Sequence, residues 1–90
     1  MSNRIYVKVR ARTDEEGRIT PLSFTIDGQT LPVSRVLERR EARETRAGGQ
    51  GIRYLVRTGN QQTYLYLAED RRWYVEENEH VREIPYLNGR

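Results

Sequence analysis

Leu22-Ser23-Phe24-Thr25-Ile26, then Asp27-Gly28, then Gln29-Thr30-Leu31-Pro32-Val33 is the stretch that decides the fold. Leu22, Phe24 and Ile26 alternate with polar residues, the period of a strand with one buried face. Asp27-Gly28 supplies the two positive φ values that a two-residue type I′ hairpin turn needs. The returning arm then places Leu31 and Val33 on the same buried side. Outward from this hairpin the period-two pattern continues. Towards the N-terminus, Arg4 to Arg12 reads as a strand with Ile5, Val7, Val9 and Ala11 inward and Tyr6, Lys8, Arg10 and Arg12 outward. Asp14-Glu15-Glu16-Gly17 turns it back into a strand over 19–26, where Pro21, lacking a donor, is expected at the strand start or on an edge.

Towards the C-terminus the third strand runs from Gln29 to about Arg40. Val36 breaks the parity of Leu31 and Val33, so a bulge is expected near Ser34 and Arg35. Glu38 to Arg46 holds good helix formers but no apolar face, and reads as a strand end followed by a solvated excursion. Ala47-Gly48-Gly49-Gln50-Gly51 is a loop, Ile52 to Thr58 a strand, Gly59-Asn60 a tight turn and Thr63 to Ala68 a strand. The polar turn Glu69 to Arg72 leads into a last strand from Trp73 to Glu76 or Glu77, with Trp73 expected mostly buried. The expected fold is a single all-β domain over residues 1–77: a small antiparallel barrel or strongly twisted sheet of five to six strands, SH3-like or OB-like in size. Residues 78–90 lose the alternation and form a C-terminal tail, docked through Ile84, Tyr86 and Leu87 or else mobile.

Ninety residues bury only about 60% of their unfolded surface, so stability must come from one compact core. The core candidates are Ile5, Val7, Val9, Leu22, Phe24, Ile26, Leu31, Val33, Leu37, Ile52, Tyr54, Val56, Leu65, Leu67, Trp73 and Val75. There is no cysteine, which removes disulfides and thiolate metal sites and fits a reducing cytosol. No run is apolar enough for a signal peptide or a membrane span, so the expected location is cytoplasmic. The net charge is +3, and 15 of the 16 basic residues are arginine, with Lys8 alone. Arginine forks suit phosphate and stack on rings, but a genome that prefers Arg to Lys gives the same composition. The charge is uneven: residues 1–60 hold 12 basic against 7 acidic residues, and residues 61–90 hold 4 against 6.

Catalytic and metal chemistry find little to work with. His80 is the one histidine, and Ser23 and Ser34 sit in expected strands with no second histidine to act as a base. Asp14, Asp27 and Asp70 are turn formers. Gly48-Gly49-Gln50-Gly51 runs into a strand rather than a Gly-Lys-Ser/Thr helix start, which rules out a P-loop. Gly48-Gly49-Gln50 matches the tripeptide of peptidyl-tRNA-hydrolysing release factors, but its surroundings are unlike that family. Neither an enzyme nor a cofactor nor a metal site is expected.

The remaining constellation is aromatic plus arginine. With Leu65 and Leu67 inward, Tyr64 and Tyr66 point outward, Arg53 and Arg57 project from the neighbouring strand, and Tyr6 and Arg10 extend the surface. Small barrels bind single strands this way, with rings stacking on bases and guanidinium groups holding phosphates. Cross-strand Arg/Tyr packing also decorates ordinary sheets. Two readings follow. One is a non-enzymatic binding module with weak single-stranded nucleic acid affinity through Arg10, Arg53, Arg57, Tyr64 and Tyr66. The other is a protein-interaction module using a strand edge or the C-terminal tail.

The order Pro21-Leu22-Ser23-Phe24, Val33-Ser34-Arg35-Val36-Leu37, Gly51-Ile52-Arg53-Tyr54-Leu55-Val56-Arg57-Thr58-Gly59, Thr63-Tyr64-Leu65-Tyr66-Leu67 and Trp73-Tyr74-Val75-Glu76 resembles a family of small, uncharacterised bacterial β domains. Stand-alone members are typical of Gram-positive bacteria, and a similar domain in actinobacteria is associated with translesion DNA polymerases. The resemblance covers roughly residues 4–77. It rests on strand patterns and aromatic positions, so it implies a fold and brings no catalytic or binding residues with it.

Overall fold

The computed structural model describes residues 4–43 and 50–76. Seven strands account for most of them: β1 (Arg4–Thr13), β2 (Ile19–Ile26), β3 (Gln29–Pro32), β4 (Arg35–Arg43), β5 (Gln50–Thr58), β6 (Gln61–Leu67) and β7 (Trp73–Glu76). Every pairing is antiparallel, in the order β3-β2-β1-β7-β6-β5-β4. β3 and β4 stand at opposite ends of that order, yet only Val33 and Ser34 separate them in the chain. The sheet must therefore curl until its ends approach, giving an all-β half-barrel.

Two backbone bonds pin this corner, Val33 N–H to the Leu22 carbonyl and Ser34 N–H to the Arg57 carbonyl, each 2.9 Å. A second corner lies in β1, whose residues Arg4 to Val7 pair with β7 while Lys8 to Thr13 pair with β2. No helix among the described residues is long and apolar enough to cross a membrane.

The turns follow their residues. Asp27 and Gly28 both have positive φ, 52° and 77°, the type I′ signature expected of Asp-Gly. Between β5 and β6, Thr58 faces Gln61, and within the Gly59-Asn60 turn positive φ is confined to Gly59, the sign pattern of type II′. Asp14 Oδ1 accepts the N–H groups of Glu16 and Arg18 at 2.9 and 2.8 Å, so its role is the turn.

The core is a cluster of Phe24, Ile26, Leu31, Tyr54, Val56, Leu65, Leu67 and Val75, with Ile5, Val7, Val9, Ile19, Val33, Val36, Ile52 and Trp73 packed against it. At about 1.5–3 kcal/mol for each fully buried large side chain, this cluster is the main stabilising term. Tyr54 ties the layers together: its hydroxyl donates to the Ile19 carbonyl at 2.6 Å, and its ring lies 5.4 Å from that of Trp73, which packs against the core cluster as expected.

Several expectations need correction, and bulges explain most of them. The sheet has seven strands rather than five or six, because the expected third strand breaks at Val33-Ser34. Arg10 pairs with Ser23 and Ala11 with Pro21, which leaves Leu22 as an extra residue on β2, 39% exposed. Pro21 takes the inward place and is fully buried, and the bulge is where a residue without an N–H fits an interior strand. On β4, Val36 pairs with Val56 and Glu38 with Leu55, so Leu37 is the extra residue, 37% exposed. Ala11 is exposed near the end of β1. β5 starts two residues before Ile52, so Gln50 and Gly51 belong to a strand, and β4 carries the chain as far as Arg43. The tip of the expected excursion, residues 44–49, and the tail 78–90 with His80 lie outside the described residues.

Candidate nucleic-acid interface

Inward placement of Tyr54, Val56 and Thr58 sends Arg53, Leu55 and Arg57 to the outer face of β5. The same alternation sends Tyr64 and Tyr66 outward on β6, Tyr74 on β7, and Arg4 and Tyr6 on β1. Register then lines these residues up. Arg40 faces Arg53, Arg53 faces Tyr66, Tyr66 faces Tyr74, and Tyr74 faces Tyr6, a single row across five strands.

The rings fill the row. Tyr66 and Tyr74 stack at 4.9 Å and 5°, close to the spacing between neighbouring strands. Tyr6 meets Tyr74 edge-on at 5.9 Å, and Tyr64 lies 6.4 Å from Tyr66. Guanidinium groups cover the rings: Arg72 at 3.9 Å from Tyr6, Arg4 at 4.2 Å from Tyr74 and Arg53 at 4.6 Å from Tyr64. Tyr74 is consequently 4% exposed although it faces away from the core, whereas Tyr6 is 45% exposed. Each such ring pair adds about 0.5–1.5 kcal/mol and each exposed cation–π contact about 0.5–1 kcal/mol.

Asp70 positions one of these cations. Its Oδ1 accepts the Arg72 N–H at 3.1 Å and its Oδ2 accepts Arg72 Nε–H at 3.3 Å, so the turn carboxylate holds the guanidinium that lies over Tyr6. The Arg72 backbone N–H, followed by its side chain, keeps the Asp70 carboxyl below its ordinary value.

Of the residues singled out in the sequence, Arg53, Tyr64 and Tyr66 come together directly. Arg57 lies four residues further along β5, facing Gln62 on β6 and Arg35 on β4. Arg10 is on the half of β1 that pairs with β2, further along the outward stripe that contains Tyr6 and Lys8. Sequence reasoning did not single out Tyr74, Arg4, Arg40 or Arg72. Alternation within Trp73-Tyr74-Val75-Glu76 marks Tyr74 as outward, but only the pairing of β7 between β1 and β6 shows that it completes the row.

Among the described residues no group of three or more His, Asp or Glu side chains is placed to hold a metal ion. A groove of about 380 Å³ lies between the start of β5 and the β6–β7 turn, lined by residues that include Glu41, Ile52, Leu67, Ala68, Glu69 and Arg71. Glu69 Oε1 accepts the Gln50 N–H there at 3.1 Å, a structural contact. Compared with known proteins, the chain matches no family model, and no curated protein sequence and no solved structure matches it.

Proposed function

We propose that the protein is a non-enzymatic binding module whose Arg/Tyr face takes single-stranded nucleic acid weakly. The observation that carries this reading is the unbroken row Arg40, Arg53, Tyr66, Tyr74, Tyr6, flanked by Arg4, Arg57, Tyr64 and Arg72. Phosphates are attracted by such a concentration of cations, and bases stack on rings regardless of sequence. Support for a non-enzymatic role comes from the occupation of Asp14 and Asp70 by turn hydrogen bonds. A bacterial, cytoplasmic setting belongs to the same proposal, as does the resemblance to a domain associated with DNA polymerases, which work on single-stranded template.

Fluorescence anisotropy of a labelled oligonucleotide, titrated at two or more salt concentrations, tests it. Wild-type affinity should fall with salt at a slope of about −0.7 per phosphate contacted. Replacing Arg53 and Arg57 by Gln should flatten that slope. Tyr64→Ala or Tyr66→Ala should weaken binding about 5- to 150-fold and leave the slope nearly unchanged. The reading fails if wild type shows no binding near ~50 mM salt, the low end of the range over which such contacts are strong, or if all four substitutions are silent. A protein partner is the second reading, favoured by the nine-residue β4, which ends the sheet order and, among the described residues, is paired along one side only. Its exposed Glu38, Arg39, Arg40 and Glu41 would make such pairing selective.

A further inference from the structure

Beyond Tyr6, the outward residues of β1 are Lys8, Arg10 and Arg12, all exposed. Their partners across the β1–β2 ladder are Thr25, Ser23 and Thr20, so hydroxyls flank every cation and no carboxylate faces one. Among the described residues neither Lys8 nor Arg10 enters an ion pair, whereas Arg12 lies close enough to Asp14 to help lower its pKa. Outward side chains on a strand stand about 7 Å apart, twice the rise per residue, which is commensurate with successive phosphates of an extended single strand. At the head of this stripe sits Tyr6, the most exposed large hydrophobic side chain described, while the faces of Tyr66 and Tyr74 are stacked on each other.

We infer that the outward side of β1 is a phosphodiester track: Lys8 and Arg10 hold successive phosphates, Ser23 donates a hydroxyl hydrogen bond beside them, and the adjoining base stacks on Tyr6. This rests on the single-strand reading and extends the site around the β1 corner onto the β1–β2 ladder. An extended polyanion with bases is the occupant that the geometry fits. The stripe is linear, cationic and flanked by neutral donors, and it ends at Tyr6, which stays 45% exposed with the Arg72 guanidinium over its ring.

The test compares a labelled oligothymidylate with an abasic oligonucleotide of the same length, each titrated over a series of salt concentrations. Lys8→Gln/Arg10→Gln should reduce the slope by about 1.4, two contacts at about 0.7 each, for both oligomers. The charge-conserving pair Lys8→Arg/Arg10→Lys should retain it. Tyr6→Ala should weaken the thymidylate about 5- to 150-fold without changing the slope, and leave the abasic strand unaffected. Melting curves and Trp73 emission establish that each variant is folded, and a double variant that does not fold is replaced by the single substitutions, each expected to remove about 0.7. If wild type binds but the slope survives loss of Lys8 and Arg10, the track is overturned while the single-strand reading stands. If wild type binds neither oligomer, both fall.

Discussion

Replacing Tyr54 by Phe removes one oxygen atom and leaves the packing of the barrel otherwise intact. The ring is 1% exposed, and its hydroxyl donates across the interior to the carbonyl of Ile19, thirty-five residues away, at 2.6 Å. A net hydrogen bond contributes about 0.5–1.5 kcal/mol, and a buried acceptor left without a partner costs a further share of its desolvation penalty. The bond is only part-buried, so the penalty stays small. The expected loss is about 1–2 kcal/mol, which for a domain of this size lowers Tm by about 4–16 °C. Tyr54→Ala adds lost transfer energy and a cavity, about 3–5 kcal/mol, enough to unfold a marginal domain. Thermal melts followed by circular dichroism, together with urea titrations, measure both variants, and an unchanged m value would show that the unfolding reaction is the same. A Tyr54→Phe protein as stable as wild type would refute the claim that this hydroxyl ties β5 to β2.

Thr63 is 2% exposed and its Oγ1 has no hydrogen-bond partner among the described residues, so Thr63→Val should raise stability by about 1 kcal/mol; a lower urea midpoint would reveal a partner for the hydroxyl. Arg71 has φ of 76°, a left-handed conformation that costs an L-residue roughly 1–2 kcal/mol, partly offset in Gly by its greater loss of backbone entropy. Arg71→Gly should therefore gain up to about 1 kcal/mol, read as an increase in Tm. The Arg18 and Glu16 N–H groups hold the Asp14 carboxyl below its ordinary value of 3.8, and the Arg72 N–H does the same for Asp70. Native values below the unfolded one mean that the carboxylates' contribution is complete above pH 3.8 and is lost as pH falls through the lower native values. The acid limb of a Tm-against-pH curve should flatten in an Asp14→Asn/Asp70→Asn variant.

Alternation and turn chemistry made most of the fold legible. Phe24, Ile26, Leu31, Leu65 and Val75 all lie in the core where period two puts them, and Asp27-Gly28 turns as its composition demands. The two misplaced leucines share one cause. Leu22 and Leu37 are the extra residues of two bulges, and inserting one residue transfers its side chain from the core face to the outer face without any change in composition. Pro21 carried the signal for the first bulge, since a residue without an N–H does not fit a regular ladder. At the candidate site the outward faces of β5 and β6 could be read locally, which is why Arg53, Tyr64 and Tyr66 were legible. Tyr74 and Arg4 join them through pairing of the first and last described strands, a long-range contact that no local pattern records.

Amide chemical-shift mapping of the isotope-labelled protein during titration with an oligothymidylate tests the central claim most directly, because it reports where a strand lies as well as whether it binds. Low-salt perturbations are expected to centre on Tyr6, Lys8, Arg10, Arg53, Tyr64, Tyr66 and Arg72 and to fade as salt is raised, with Leu22, Leu37 and the β4 residues other than Arg40 unaffected. Spectra that do not change at low salt, or changes confined to Arg35–Arg43, would contradict it.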